Sequence, residues 1–301
     1  MDSGREGSIH VPVLSEEVIE YLHPSAGDII VDATLGTGGH SMHMLEHTLG
    51  AVTVIGIDRD KDALAAARER LNEYKEHIRF FHADFKDFDE IMKAAGLKRV
   101  QKCLFDLGVS SFQIDDPERG FSYSEDGPLD MRMDRENPLR AEHVVNSYSR
   151  EELVRVFRSY GDERNPGKIA DAVITERSRQ RIESTQRLAQ IFRRASAGRK
   201  GTGCPESPLF MALRIEVNRE LDAVRSGVEK AIGFLETGGR ICVISFHSGE
   251  DRIVKRMFKE YESRKELSLV TRRPVTPSVR EVRKNPRARS AKMRAAERTG
   301  T

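Results

Sequence analysis

At 301 residues the chain is long enough to bury a full α/β core and still carry a second folding unit. Its three cysteines, Cys103, Cys204 and Cys242, lack paired spacing, which excludes a disulfide framework and a cysteine-based zinc site. No apolar run of 18 residues is available to cross a membrane, and Met1 to His10 has no apolar signal region, so a cytoplasmic location is expected.

The formal charge of +2 conceals an asymmetry. Arg272 to Arg298 holds ten Lys/Arg against two Glu, leaving the remainder about six negative, and Arg177 to Lys200 has eight Lys/Arg against Glu183 alone. Neither block is rich in aromatics, so phosphate contact rather than base stacking is the reading that fits a nucleic-acid partner.

In chain order, Ser15 can cap a helix carrying Val18, Ile19, Tyr21 and Leu22 on one face. A buried strand over 28–32 runs into the turn Gly36-Thr37-Gly38-Gly39-His40 and a helix over 40–48. The next strand, 52–57, ends in Asp58, 20 residues beyond Gly38. That layout holds a nucleoside: the glycines admit a ligand close to the backbone, and the acid at the neighbouring strand tip accepts from ribose hydroxyls. The glycine spacing departs from the dinucleotide pattern, and Asp32 places an extra carboxylate beside the loop. A pyrophosphate would be repelled there, whereas a ligand with an ammonium or sulfonium charge is favoured. S-adenosylmethionine therefore fits better than a nicotinamide dinucleotide.

A helix over 61–74, a strand over 78–82, a helix over 87–95 and a strand over 102–107 continue the alternation, which predicts a doubly wound, mostly parallel α/β sheet with right-handed crossovers. From 115 to 211 the rhythm gives way to charged, helix-rich sequence. It resumes with a helix near 214–235, a turn at Gly238-Gly239, a strand over 240–246, a helix over 250–261 and short strands near 267–271 and 290–296. The expected organisation is one discontinuous domain, 1–114 and 212–301, interrupted after its fourth strand by a helical insertion, 115–211. An insertion at that place projects over the ligand edge of the sheet, so its expected role is substrate recognition.

The fourth strand ends in Asp106, followed by Leu107-Gly108-Val109-Ser110-Ser111-Phe112-Gln113. Enzymes that methylate amino groups of bases often carry Asp/Asn-Pro-Pro-aromatic here, and of that motif only Asp106 matches in this chain. The lone pair of an aromatic amine is delocalised into the ring, and accepting its N–H bonds helps redirect that pair towards the methyl carbon. No nucleophile for a covalent intermediate is evident, since Cys103 and Cys242 lie within apolar strands.

Eight segments now carry a resemblance. They are His10-Val11-Pro12-Val13-Leu14, Asp32 to Ser41, Ile57-Asp58-Arg59-Asp60, Asp106 to Ser111, Asp115 to Ser122, Asp126-Gly127-Pro128-Leu129-Asp130-Met131-Arg132-Met133, Gly239 to Val254, and Asn285-Pro286-Arg287-Ala288-Arg289-Ser290-Ala291-Lys292. Together, and in this order, they resemble the bacterial ribosomal RNA small subunit methyltransferase H family, which forms N4-methylcytosine in 16S rRNA. The resemblance implies a Rossmann-like S-adenosylmethionine-dependent methyltransferase domain with a helical insertion. It implies cofactor contacts at Gly38, Gly39, His40, Asp58, Phe85, Asp106 and Gln113; Asp106 is also the candidate catalytic acid, and no metal is expected. It implies methylation of a cytidine in the decoding region of 16S rRNA, within the small ribosomal subunit or a late assembly intermediate. An amino-methyltransferase acting on DNA or protein, or an RNA-binding assembly factor without turnover, are the alternatives.

The chain departs from the family pattern at Cys204 to Met211, at Gly249, where a leucine is usual, at Asn165-Pro166-Gly167, which interrupts a stretch that is usually helical, and between Tyr261 and Thr271, which is shorter than in some members. Asp115, Asp116, Asp126, Asp130 and Asp134 lack calcium-loop spacing and are expected to form turns and pair with arginines. Ser248 is the expected N-cap of the helix beginning near Glu250, and His247 either touches the target base or makes a structural hydrogen bond.

Overall fold

The computed structural model describes residues 12–197 and 204–300. His10 and Val11 of the N-terminal motif, and Arg199 and Lys200 of the second basic block, lie outside the described residues. The chain forms two compact units, one of residues 1–108 with 222–301 and one of residues 109–221.

In the first unit, α1 (Ser15–Leu22), β1 (Ile29–Asp32), α2 (Gly39–His47), β2 (Thr53–Asp58), α3 (Lys61–Arg70), β3 (Ile78–His82), α4 (Phe88–Ala95) and β4 (Val100–Asp106) follow the expected alternation. The second unit holds α5 (Ser111–Ile114), α6 (Ala141–Ser147), α7 (Arg150–Gly161), α8 (Pro166–Arg179), α9 (Thr185–Ala195) and α10 (Ser207–Asn218). The boundary back falls in the first turn of α11 (Glu220–Phe234), after which come β5 (Leu235–Ser245), α12 (Ser248–Ser263), β6 (Leu267–Leu269), α13 (Val279–Lys284) and β7 (Lys292–Arg298).

The sheet order is β3-β2-β1-β4-β5-β7-β6. The first five strands are parallel, while β7 runs antiparallel to both β5 and β6. The order reverses between β1 and β4, the switch point beside which open α/β sheets bind ligands. Alternate residues of the central strands face opposite layers. Val31, Ile57, Phe105 and Val243 pack with Phe88, Ile91, Val228 and Phe258 of α4, α11 and α12. Ile30, Val54, Leu104 and Ile244 pack with Leu22, Met44, Leu45 and Leu64 of α1, α2 and α3. Both faces are thus covered, which is why these strands read as continuous apolar runs. Each fully buried large side chain contributes roughly 1.5–3 kcal/mol before its ordering entropy is counted.

Some boundaries differ from those expected. The helix expected over 214–235 is two helices, broken at Arg219, whose φ of 48° closes α10 in the left-handed region. The helix expected over 61–74 ends at Arg70 and continues as a 3-10 turn over Asn72–Tyr74. Gly238-Gly239 lies inside β5, beside a register shift between Val100 and Lys102. Asn165-Pro166 starts a helix: Pro166 occupies the first turn of α8, where its missing N–H costs nothing.

The second unit closes around its own core, with Phe192 edge-on to Phe157 (5.6 Å) and Phe210 (5.9 Å). Its acidic loop serves as scaffolding. Asp116 accepts from Glu118 N–H (3.0 Å), Asp126 from Gln186 N–H (3.1 Å) and Asp134 from Glu136 N–H (2.8 Å). Asp130 receives Arg132 Nε and Nη2 at 2.7 Å each. Buried Arg119 donates to the carbonyls of Arg132 and Met133, both at 3.0 Å, and Asn218 bonds Met133 N–H (2.8 Å) and Met131 carbonyl (2.7 Å).

Candidate active site

The strand ends β1, β2 and β4 deliver three carboxylates to one edge of the sheet, and a glycine turn threads among them. Gly38 caps α2 with φ 81°, and a Cβ there would stand 2.7 Å from Leu71 Cδ1, so the turn admits no larger residue unchanged. Asp58 orders this turn: its Oδ2 accepts Gly36 N–H (2.7 Å) and its Oδ1 accepts Asp60 N–H (2.8 Å). Burial raises the Asp58 carboxyl above its ordinary range, with the two backbone donors pulling the other way. Each Asp58 oxygen retains a lone pair for a further donor, which suits a diol.

Asp32, 1% exposed, accepts the Ser41 hydroxyl (2.7 Å) and Thr34 N–H (3.3 Å). Asp106, at the tip of β4, donates its N–H to Thr34 Oγ1 at 2.6 Å. His40, in the first turn of α2, stands with Nε2 3.4 Å from Asp106 Oδ2. Neither ring nitrogen of His40 nor Asp106 Oδ1 makes a hydrogen bond. Buried polar atoms without hydrogen-bond partners beside carboxylates offer acceptors to a cationic, hydrogen-bond-donating ligand.

Burial pushes the Asp32 carboxyl up from an ordinary 3.8 to about 6, opposed by His40 and by the Ser41 and Thr34 bonds and reinforced by Asp106. The folded chain holds this proton more tightly than the unfolded chain. For this group, stability is therefore greatest below the unfolded value and falls as pH rises through the window from about 4 to about 6. Asp32→Asn removes that penalty. Relative to wild type, the variant should gain about 2–3 kcal/mol between pH 4 and pH 7 in denaturant melts. Parallel pH curves for the two proteins would refute the assignment.

Of the residues expected from the sequence, Gly38, Gly39, His40, Asp58 and Asp106 come together at this edge. Phe85 opens the 3-10 turn after β3, and its ring is a core element, 7% exposed and edge-on to Phe105 at 5.5 Å. A Cβ on Gly227 would meet that ring at 2.5 Å, so the ring is clasped by α11. Gln113 belongs to the second unit, where its Oε1 accepts Ser110 N–H (3.1 Å) while Ser110 Oγ accepts Gln113 N–H (3.2 Å), capping α5. Thr34 and Ser41 were not singled out in the sequence. The Asp-x-Thr spacing of a turn in which an acid accepts from the residue two places on was the available signal for Thr34.

The N-cap of α12 is His247 rather than Ser248. Its Nδ1 accepts Gly249 N–H (3.1 Å), and Glu250 returns the bond by accepting Phe246 N–H (2.8 Å) and His247 N–H (3.2 Å). An imidazole nitrogen does the work usually given to a hydroxyl, so His247 makes a structural hydrogen bond. Cys103 and Cys242 are buried thiols, and burial pushes Cys242 up to about 12.

The basic blocks are partly consumed by pairing. Arg181 bonds Glu142 (2.6 Å), Arg193 bonds Glu206 (2.7 Å), and Arg177 donates to Val145 carbonyl (2.9 Å). In the C-terminal block Arg294 pairs with Asp251 (2.7 Å) and Arg298 with Glu266 (2.9 Å). Arg272, Arg273, Arg280, Arg283, Arg287 and Arg289 remain exposed. No helix among the described residues is long and apolar enough to cross a membrane.

The ribosomal RNA small subunit methyltransferase H of Halothermothrix orenii is 44% identical to this chain, over 96% of it and 98% of the relative. Those of Persephonella marina and Caldicellulosiruptor bescii are 45% and 42% identical, over 96% of the chain and 99% and 98% of their own lengths. The model of the MraW methylase family matches residues 7–299, and the chain belongs to that family.

Proposed function

We propose that the chain transfers a methyl group from S-adenosylmethionine to the exocyclic N4 amine of a cytidine in the decoding region of 16S rRNA. The observation that carries the reading is Asp106 at the β4 tip, with Oδ2 turned to His40 and Oδ1 unbonded, beside a glycine turn ordered by Asp58. The relatives' shared name supports the ribosomal RNA substrate.

The residues fit the cofactor. Gly38, Gly39 and His40 would hold its methionine end at the start of α2, Asp58 its ribose, and Asp32 and Asp106 its positive charge. Phe85 would border the adenine site through its backbone, its ring being committed to the core. When bound, S-adenosylmethionine supplies a methyl carbon made electrophilic by the sulfonium. Asp106 accepts an N–H of the amine, which favours the rehybridised nitrogen over the planar one and fixes its lone pair on the line of attack. The acid also receives the proton that the methylated amine must lose.

We assign substrate recognition to the insertion, 115–211, and phosphate contact to the exposed arginines of the C-terminal block. The small ribosomal subunit or a late cytoplasmic assembly intermediate is the natural substrate. Incubating the protein with methyl-labelled donor and, separately, naked 16S rRNA, isolated small subunits, duplex DNA or ribosomal protein tests this. Label recovered as N4-methylcytidine from the rRNA-containing samples is expected. Label in DNA or protein, or none in any sample, would reject the proposal.

A further inference from the structure

Asp106 sits where β4 runs out of backbone partners on its β1 side, while it remains in register with Ile244 of β5 on the other. Ala33 N–H donates to Leu104 carbonyl (2.9 Å), the last backbone rung between the β1 side and β4. In a parallel ladder the next rung would run from Asp106 N–H to the Ala33 carbonyl. The chain has by then turned away into the glycine loop, and Thr34 Oγ1 takes the Asp106 N–H instead, at 2.6 Å. On the other side Leu107 N–H donates to Ile244 carbonyl (3.0 Å), so the residue after Asp106 is tied to β5.

Thr34 is itself fixed. Its N–H donates to Asp32 Oδ1 (3.3 Å), and the other oxygen of Asp32 receives the Ser41 hydroxyl (2.7 Å) from α2. A short path thus runs from buried Asp32 through Thr34 to the main chain of Asp106. The carboxylate at the end of that path has Oδ2 facing His40 at 3.4 Å and Oδ1 without a bond. A threonine hydroxyl here takes the place of the backbone carbonyl of a regular parallel ladder. What it adds is a fixed height and direction for the one residue whose side chain must meet an incoming amine.

We propose that Thr34 is a positioning residue for the methyl transfer: its hydroxyl pins the Asp106 main chain so that Oδ1 presents to the substrate amine. This rests on the reading of Asp106 given above. The hydroxyl touches neither the cofactor sulfonium nor the amine in this role, so its loss acts on geometry rather than on binding. A displacement of the acceptor by a fraction of an ångström weakens a bond that matters in the transition state more than in the ground state.

The test compares Thr34→Val, which is close in shape but has no hydroxyl, with Thr34→Ser, which restores it. Turnover on the rRNA substrate, the Michaelis constant for RNA, S-adenosylmethionine affinity by calorimetry and the melting temperature are measured for each, beside Asp106→Ala. Thr34→Val is expected to lower turnover about 10–100-fold, with cofactor affinity and RNA Michaelis constant within about threefold of wild type. Thr34→Ser should recover turnover to within about threefold. Unchanged turnover in Thr34→Val beside an inactive Asp106→Ala would overturn the role of Thr34 alone. Normal turnover in Asp106→Ala would instead remove the acid reading on which it rests. A parallel loss of cofactor affinity and turnover in Thr34→Val, unrescued by serine, would show a merely structural loop residue and reject the proposal. Should Thr34→Val not fold, Thr34→Ala against Thr34→Ser carries the same comparison.

Discussion

Asp106→Ala should lower turnover roughly 10²–10⁴-fold while leaving S-adenosylmethionine affinity within a few-fold of wild type. That range corresponds to about 3–5 kcal/mol of transition-state stabilisation. The asymmetry follows from the environment of the carboxylate. Oδ2 faces His40, whereas Oδ1 makes no bond. In the proposed reaction an N–H of the substrate amine is the donor that Oδ1 lacks, and that bond strengthens as nitrogen rehybridises. In the proposed site Asp32, on the neighbouring strand, offers a second carboxylate to a cationic cofactor, so removing Asp106 should cost binding less than it costs rate. Single-turnover kinetics with saturating cofactor, combined with calorimetry on the free protein, separate the two effects. A variant that only raises the apparent cofactor constant, with turnover intact, would move Asp106 from catalysis to cofactor holding.

Much of the first unit was legible because its signals are local. Apolar runs leading into Asp32, Asp58 and Asp106 predicted β1, β2 and β4, the apolar run after Gly238-Gly239 predicted β5, and the Gly38 turn with Asp58 was the local sign of a ligand edge. What escaped is where an ordinary residue takes an unusual task. Arg219 closes α10 in a left-handed conformation that glycine or asparagine usually fills, so nothing in its identity announced the break. His247 caps α12 with an imidazole nitrogen, while the adjacent Ser248 offered the more familiar hydroxyl. Thr34 reads as a small residue in a turn, and its importance appears only when β4 is laid beside β1. Charge counting overstated the basic surface for the same reason. Arg294 and Arg298 add to the sum but are neutralised by Asp251 and Glu266 across the fold. Pairings between residues distant in sequence are invisible to composition.

The second unit is held at one place by backbone meeting backbone, and Gly127→Ala is expected to be among its most damaging small substitutions. A Cβ on Gly127 would stand 2.0 Å from the Pro117 carbonyl oxygen and 2.9 Å from its carbon. A Cβ on Gly120 would likewise fall 2.1 Å from the Pro128 carbonyl oxygen. The segments 117–120 and 127–130 therefore cross with no room for a side chain at either glycine. Both obstacles are main chain, which cannot rotate aside as a flexible side chain can. The same crossing carries bonds that a shift would break: Gly127 N–H to Thr185 Oγ1 (3.1 Å), Thr185 N–H to Gly127 carbonyl (2.9 Å) and Leu129 N–H to Glu183 carbonyl (3.1 Å). Overpacking together with these losses should destabilise by about 3–5 kcal/mol, at the upper end for a single substitution. In calorimetry the transition should fall by roughly 10 °C or more. Gly233→Ala is the matched control, because it adds the same methyl to an exposed position of α11 with nothing within 4 Å. It should stabilise by about 0.5–1 kcal/mol, through helix propensity alone. If Gly127→Ala melts within a degree or two of wild type, the crossing is not close-packed and the specificity of the Asp-Gly-Pro-Leu-Asp-Met-Arg-Met segment needs another cause. A large drop confined to Gly127→Ala would instead show that this segment is specific because only glycine lets the two strands of the loop touch.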